Sequence, residues 1–159
     1  PSFPQVISHT LWHITRDLYN ALLQQDFDSA VTISEKCLGF GDGLTPAGDD
    51  VIAGICAVFS LVNRMSTQPD MNRVNYCEHM VQLAVKLTSI VSAAFIRAAC
   101  EGELNDPLRQ IVLCLFNGEH VGDALLKQLS QTGHTSGFDG LAGVVLGLTG
   151  TINVENTVN

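Results

Sequence analysis

Apolar residues recur every three or four positions along most of the chain, which is the spacing of a helix with one buried face. The first stripe of this kind runs from Ile7 to Leu22 and predicts a helix over residues 5–24. Capping residues and glycines set the limits of the other predicted helices. These helices cover residues 29–38, 50–64, 73–100 with a break near 87–92, 106–118, 121–131 and 139–148. Their start signals are Asp28-Ser29 and Asp106-Pro107, and their stop signals are Gly39, Gly118 and Gly133.

The segment over residues 50–64 is apolar on nearly every face. Strand is the competing interpretation for VIAGICAVF within it, but the length of the segment and its alanine and glycine content favour a helix. A helix that is apolar all round is normally surrounded by other helices. The sequence therefore predicts an all-α fold, a compact orthogonal bundle of about seven or eight helices in a single domain over residues 1–159, with two glycine-rich loops at helix N-termini.

The composition indicates that the surface carries few charged residues. Hydrophobic residues make up 46% of the 159 residues and charged residues 15%, with a mean hydropathy of +0.23. A single domain of this length buries roughly two thirds of its unfolded surface. Because so little of the remainder is charged, we expect another chain to cover part of the apolar surface, either a different subunit or a second copy.

The charge balance argues against two classes of partner. The net charge is -8, from 16 acidic and 8 basic residues, and no basic cluster occurs in the sequence. Nucleic acids and anionic membranes are therefore not expected to bind. No run of about 18 apolar residues predicts a membrane span. No signal peptide is visible at the start, which is Pro1 rather than methionine.

The five cysteines are an odd number spread through apolar stretches, and no pair has CxxC spacing. The expected interpretation is buried, reduced thiols in a cytoplasmic protein. The cysteines are Cys37, Cys56, Cys77, Cys100 and Cys114.

Two glycine-rich loops repeat one pattern. Residues 43–49 read GLTPAGD and residues 133–139 read GHTSGFD, so that Gly, Thr and Asp coincide at positions ninety residues apart. Each loop then enters a helix rich in small residues, with Ala53-Gly54 in one and Ala142-Gly143 in the other. If these small residues let the two helices approach closely, both helix N-termini lie side by side at one end of the core.

Side-by-side N-termini would bring Asp49, Asp50 and Asp139 into one acidic site. Three adjacent carboxylates repel one another unless a proton or a cation intervenes, and a hard cation such as Mg²⁺ is the expected ion. Helix N-termini favour an anion such as phosphate or a carboxylate. A metal that bridges the aspartates to a small anionic substrate satisfies both tendencies. The alternative is structural, because an aspartate before a helix is most often a cap and a glycine there a loop former.

Two further residues have open interpretations. His134, inside the second loop, is either a proton donor or acceptor near neutral pH or a loop histidine bonded to the backbone. Arg97 lies among apolar and small residues, with Glu101 four residues later. It either forms an ordinary i,i+4 ion pair or reaches the loops and binds an anion.

The motifs resemble those of a known bacterial family. GxGxGLTPxGDDxxAG, then TSxxSAxxxxxAxxGE from Thr88 to Glu103, then GHTSGxDxLAG are similar to the signature of the family that includes the AllH-type subunit of oxamate carbamoyltransferase. The resemblance covers about residues 39–148, and Ala47 and Thr135 stand where many relatives carry serine. Because family members generally have an additional N-terminal region, the resemblance implies that residues 1–159 are the C-terminal part of a longer architecture.

The resemblance implies a role in anaerobic allantoin breakdown, in which an enzyme of several different subunits converts oxalurate and phosphate to oxamate and carbamoyl phosphate. Under this interpretation the chain is a subunit of a carbamoyltransferase-like enzyme that binds a small anionic substrate. The rival is a non-catalytic binding or assembly subunit whose loops are structural or sense a ligand. The residues expected to act are His134, Asp49 and Asp139 in catalysis, Gly43, Thr45, Gly48, Thr135, Ser136, Gly137 and Arg97 in substrate binding, and Asp49, Asp50 and Asp139 in binding a metal.

Overall fold

The computed structural model describes the backbone of residues 3–133 and 136–152 and the side chains of residues 9–133 and 136–152. His134 and Thr135 of the second loop lie outside the described residues. The described part contains eight helices and no strand, which confirms the all-α prediction. The helices are α1 (Phe3–Leu23), α2 (Phe27–Cys37), α3 (Ala47–Met65), α4 (Met71–Leu87), α5 (Ile90–Cys100), α6 (Asp106–Asn117), α7 (Asp123–Ser130) and α8 (Ser136–Thr149).

Helix α3 forms the centre of the bundle. It packs against α2, α4, α5 and α8, and every residue from Val51 to Phe59 except Ala53 is buried. One part of the core joins α3 to α1, α2, α4 and α5, and another joins it to α6, α7 and α8. The central position explains why this segment is apolar on nearly every face. Among the described helices, none combines the length and apolarity that crossing a bilayer requires.

The predicted break near residues 87–92 is confirmed. Helix α4 ends at Leu87, the backbone of Thr88 is extended, and α5 begins at Ile90. The side chain of Ser89 caps α5 by accepting the Ser92 N–H at 3.1 Å. A hydroxyl residue in extended conformation, followed by a capping serine, therefore separates two helices that the apolar pattern alone would have joined.

The caps of two helices differ from the prediction. Asp26, not Asp28, caps α2, because its carboxylate accepts the Ser29 N–H at 3.1 Å. Asn105, not Asp106, caps α6, because its side-chain oxygen accepts the Leu108 N–H at 3.1 Å. In both cases a second capping residue stands one or two positions away from the predicted one, and only the backbone geometry selects between them.

Helices α3 and α8 begin inside the two glycine-rich motifs rather than after them. The carbonyl oxygen of Pro46 accepts the N–H groups of Asp49 at 2.9 Å and of Asp50 at 3.3 Å. Both aspartates therefore lie in the first turn of α3, and neither is its cap. Asp139 likewise falls in the first turn of α8. Acidic side chains in a first turn interact favourably with the helix dipole.

The backbones of α3 and α8 touch where they cross. A Cβ atom on Gly143 would lie 2.0 Å from the carbonyl oxygen of Val51, and one on Gly54 would lie 2.3 Å from the carbonyl oxygen of Gly140. No side chain fits at either position, so both must be glycine. The close approach predicted from small residues is thus made by the glycines, whereas Ala142 is exposed.

Candidate functional site

The helix crossing brings the two glycine-rich loops together. The first loop (residues 38–46) precedes α3, and the second loop (residues 131–135, described as far as Gly133) precedes α8. The hydroxyl oxygens of Thr45 and Ser136 lie 3.3 Å apart, within hydrogen-bonding distance. Two segments about ninety residues apart in the chain therefore share one place in the fold.

A cavity of about 240 Å³ lies between the two loops and α5. Thr45, Asp50 and Ser136 line it with two hydroxyl groups and a carboxylate. The wall also contains further polar residues and three large apolar side chains, a mixture that is common in binding sites for small molecules. These further residues are Glu103, Asn105, Thr132, Phe95, Leu104 and Leu108.

Asp50 is the residue of this cavity with the most perturbed acidity. Burial raises the pKa of its carboxyl group to about 6, a hydrogen bond with the Ser136 side chain lowers it, and the charges of Asp139 and Asp49 raise it. Its Oδ2 atom is buried and has no hydrogen-bond partner among the described residues. A buried acceptor without a donor is costly, so this atom is suited to a donor from a ligand or to a proton.

Asp49 has a different environment, although it is the next residue. Its side chain is only 2% exposed. One carboxylate oxygen accepts the Gly39 N–H at 2.7 Å, and the other accepts the hydroxyl of Thr88. Asp49 thereby fastens the first loop and the α4–α5 break to the start of α3. Its predicted catalytic and metal-binding roles stay predictions, and both of its oxygens already have protein donors.

The start of α5 holds the first loop from the other side. The Ser89 hydroxyl donates to the Leu44 carbonyl at 2.9 Å, and the Ser92 hydroxyl reaches the same oxygen at 3.5 Å. With Thr88, these residues place three hydroxyl groups against a loop of glycines. The sequence does show a cluster of hydroxyl residues at the predicted helix break. No spacing in the sequence, however, connects this cluster with the first loop.

Two of the predicted substrate-binding glycines serve packing. A Cβ atom on Gly48 would lie 2.0 Å from the carbonyl oxygen of Cys37, and one on Gly137 would lie 2.3 Å from that of Leu129. The Gly48 N–H donates to the carbonyl oxygen of Phe40 at 2.9 Å, and the Gly137 N–H donates to the carbonyl oxygen of Thr132 at 3.1 Å. Because both N–H groups are engaged, substrate binding by either stays a prediction that this geometry does not support.

The other predicted residues are spread more widely. Gly43 is exposed at the first loop, with φ of 96° and open space around it. Arg97 is exposed on α5 and lines a second cavity, of about 680 Å³, rather than the one between the loops. The expected Arg97–Glu101 ion pair does not occur among the described ion pairs. The predictions for His134 and Thr135 lie outside the described residues.

The three predicted metal ligands do not form a tight cluster. Among the described residues, Asp49, Asp50 and Asp139 do not make a group whose carboxylate oxygens all lie within 4.8 Å of one another. Adjacent residues on a helix point about 100° apart, so Asp49 and Asp50 diverge. The charge of Asp139 raises the pKa of Asp50. Magnesium binding stays a prediction, and Asp50 with Asp139 is the pair that this arrangement leaves for it.

Comparison with known proteins shows to which family the chain belongs. No solved structure matches the chain. The family model described as oxamate carbamoyltransferase subunit AllH matches residues 37–148, from the last residue of α2 to the penultimate residue of α8. This range contains both loops, the cavity between them and the crossing of α3 and α8. The chain therefore belongs to the oxamate carbamoyltransferase subunit AllH family.

Proposed function

We propose that this chain binds the carbamoyl-bearing substrate of an oxamate carbamoyltransferase in the cavity between the two loops. The observation that carries the proposal is the pairing of the Asp50 carboxylate with the Thr45 and Ser136 hydroxyls in one cavity at the start of two helices. A family description that names a subunit of this enzyme supports the choice of substrate.

The cavity complements a carbamoyl group. A carbamoyl group offers N–H donors on one side and a carbonyl oxygen on the other, and oxamate and oxalurate add a carboxylate. The buried Oδ2 of Asp50 lacks a donor among the described residues, so a carbamoyl N–H supplies what it lacks. The Thr45 hydroxyl donates to the carbonyl or carboxylate oxygen, the Ser136 hydroxyl orients Asp50 by hydrogen bonding to its side chain, and the dipoles of α3 and α8 favour the negative charge.

The same groups suit the transfer reaction. A phosphate oxygen attacks the carbamoyl carbon of oxalurate, the carbonyl oxygen becomes an oxyanion, and the bond to the oxamate nitrogen then breaks as that nitrogen takes a proton. The Thr45 hydroxyl would stabilise the oxyanion. Asp50, with its pKa raised to about 6, would take the proton of the attacking hydrogen phosphate and pass it to the leaving nitrogen.

Magnesium binding through Asp50 and Asp139 is an alternative role for Asp50, because a carboxylate that holds Mg²⁺ stays ionised and does not carry the proton. Mg²⁺ is usually held by one or two carboxylates together with substrate phosphate oxygens. Burial and the Asp139 charge disfavour ionised Asp50, and a cation relieves that cost. When bound, the ion would neutralise the charge of the phosphate that attacks or leaves.

The proposal is tested by ligand binding to matched variants. Oxamate and carbamoyl phosphate, each with and without Mg²⁺, are titrated against the wild-type chain, Asp50→Asn and Ser136→Ala, with thermal melting and calorimetry as readouts. Asp42→Asn is the control, because Asp42 is exposed in the same loop. A ligand at about 100 times its Kd stabilises by about 2.7 kcal/mol, which raises the melting temperature of a chain this size by roughly 5–10 °C.

We expect this shift in the wild-type chain and in Asp42→Asn, and its loss in Asp50→Asn and Ser136→Ala. No shift with any ligand in the wild-type chain would contradict binding at this site. Equal shifts in all four proteins would place the ligand elsewhere. The rival, a non-catalytic binding subunit, is supported if Asp50→Asn abolishes binding to the isolated chain while the assembled enzyme keeps its full rate of carbamoyl transfer.

A further inference from the structure

Three cysteines from three different helices meet on the side of α3 that faces α4 and α5. Cys56 lies in α3, Cys77 in α4, and Cys100 is the last residue of α5. Their sulphur atoms all lie within 4.8 Å of one another. Cys56 and Cys77 are buried, and Cys100 is half-buried. Because the cysteines are more than twenty residues apart in the chain, no sequence motif marks the cluster.

The spacing of the sulphurs suits a metal ion. An ion bound at about 2.3 Å to three thiolates, in tetrahedral or trigonal geometry, holds the sulphurs about 3.8–4.0 Å apart. The observed separations, none above 4.8 Å, need to shorten by no more than about 1 Å to reach this geometry. Side-chain rotation of Cys100, which is half-buried at the end of its helix, provides part of that movement.

Two of the thiols form hydrogen bonds with backbone carbonyl groups of the cluster. The Cys77 thiol donates to the Cys56 carbonyl at 3.7 Å, and the Cys100 thiol donates to the Cys77 carbonyl at 3.6 Å. Because only the thiolate binds a metal, binding would displace these thiol protons.

The cluster is reached from the second cavity, of about 680 Å³, which Cys77 and Cys100 both line. Three of the eight basic residues of this acidic chain, Arg64, Arg73 and Arg97, line the same cavity, together with Glu78 and Glu101. Three thiolates around a divalent ion carry one net negative charge, which the net charge of +1 on these five side chains (three positive, two negative) offsets. The cavity also supplies room for a fourth ligand, as in zinc sites that keep one position open.

We propose that Cys56, Cys77 and Cys100 bind one thiophilic metal ion, Zn²⁺, through their three sulphurs, with the fourth ligand drawn from the adjacent cavity. Sulphur ligands select Zn²⁺ and Cu⁺ over Mg²⁺ or Ca²⁺. The site is separate from the cavity between the loops, whose described lining contains none of these cysteines. The proposal therefore does not depend on carbamoyl transfer.

The test is a cobalt titration of the reduced, metal-free chain. Co²⁺ is a spectroscopic substitute for Zn²⁺, and coordination by three thiolates gives intense sulphur-to-cobalt charge-transfer absorption. We expect one Co²⁺ per chain, displaced by Zn²⁺, and a rise in melting temperature when Zn²⁺ is added. Cys100→Ser should weaken binding by about 100-fold or more. Cys114→Ser is the control, because Cys114 is a half-buried thiol on α6 outside the cluster.

Cys100→Ser is chosen because a half-buried position tolerates substitution better than the buried Cys56. The wild-type titration tests the proposal even if this variant fails to fold. Absence of thiolate charge-transfer absorption in the reduced wild-type chain overturns the proposal. So does undiminished cobalt binding by folded Cys100→Ser, or a loss of binding that Cys114→Ser shares to the same degree.

Discussion

Asp49 and Asp50 are neighbours in the chain, yet the fold surrounds them differently. The oxygens of Asp49 accept hydrogen bonds from the Gly39 N–H and the Thr88 hydroxyl, and the side chain is buried. Asp50 faces the cavity and keeps a buried oxygen that has no partner among the described residues. The sequence predicted an acidic site from both residues together. It could not assign the structural role to one and the cavity to the other, because Thr88 is a distant partner that no local pattern identifies.

Replacing Asp50 should reveal the cost of its burial. Its folded-state pKa of about 6 lies above the unfolded value of about 3.9, so the folded chain holds the proton more tightly. The contribution of Asp50 to stability is therefore full below about pH 4 and is lost as the pH rises through about 6. We expect Asp50→Asn to be more stable than the wild type by about 1 kcal/mol at about pH 7.5. This figure allows for solvent screening, because the Asp50 side chain is only partly buried. The difference in stability should vanish near pH 4.

Thermal melting between about pH 4 and pH 8 in metal-free buffer measures this difference. Asp42→Asn, in the same loop but exposed, should follow the wild-type curve. A lower melting temperature for Asp50→Asn near neutral pH would mean that the ionised carboxylate stabilises the fold, and would contradict the expected cost.

At the scale of helices, the crossing of α3 and α8 is the feature on which the site depends. Gly54→Ala would place a Cβ 2.3 Å from the Gly140 carbonyl oxygen, which is backbone and cannot rotate away. We expect a loss of about 3 kcal/mol in the free energy of unfolding and a fall of about 10 °C in melting temperature, because overpacking forces the helices apart. Oxamate binding should weaken as the loops separate.

Gly122→Ala is the matched control, since a Cβ at Gly122 meets no atom within 4 Å and its φ is -73°. Because Gly122 is the N-cap of α7, where alanine is less favourable than glycine, we expect Gly122→Ala to lower the free energy of unfolding by about 1 kcal/mol or less. Chemical denaturation of both variants measures the difference. A Gly54→Ala protein as stable as Gly122→Ala would show that the helices separate at little cost.

The helix pattern was predictable because it is local, and the helix ends were less so. Leu18 and Leu22 of the first apolar stripe are buried as expected. The segment over residues 50–64, which is apolar on nearly every face, lies in the central helix α3. Asp26 and Asn105 cap their helices although Asp28 and Asp106 are capping residues too. Nearby candidates of similar chemistry differ only in backbone angles, which tertiary packing decides.

At the scale of the whole molecule, large apolar side chains stand exposed around the loop cavity. Phe95, which lines the cavity, is 58% exposed, and Leu44, next to Thr45, is 68% exposed. Ile90, beside the Ser89 that holds the first loop, is 87% exposed, and Phe138, in the first turn of α8, is 51% exposed. Large apolar side chains left exposed near a site are typical of a surface that another chain covers. The family description of the chain as a subunit agrees with such a surface.

Ile90→Asp should therefore weaken association with the other subunits of the enzyme by at least about tenfold without lowering the melting temperature, because a carboxylate would be desolvated in the interface. Leu113→Asp, at a side chain on α6 that is 50% exposed, is the control and should associate normally. Co-purification followed by sedimentation of the complex measures both. Unchanged association of Ile90→Asp would show that this surface stays open to solvent in the assembly.

The convergence of the two loops was within reach of the sequence, because the repeated motif and the small residues after it both pointed to it. The three-cysteine cluster was not. Cys56, Cys77 and Cys100 come from separate helices at spacings that match no metal motif. Residues that meet only through tertiary packing leave no periodic trace, and Asn105 in the wall of the loop cavity was not predicted for the same reason.

The position of the glycine crossing also sets how motion is distributed along α3. Gly54 is four residues from Asp50, about 6 Å along the axis, and eleven residues from Met65, about 16 Å. If α3 tilts about this contact as about a pivot, Met65 at its far end moves nearly three times as far as Asp50. A tilt of this kind would therefore displace the cavity-lining end of α3 less than the end that lies away from the loops.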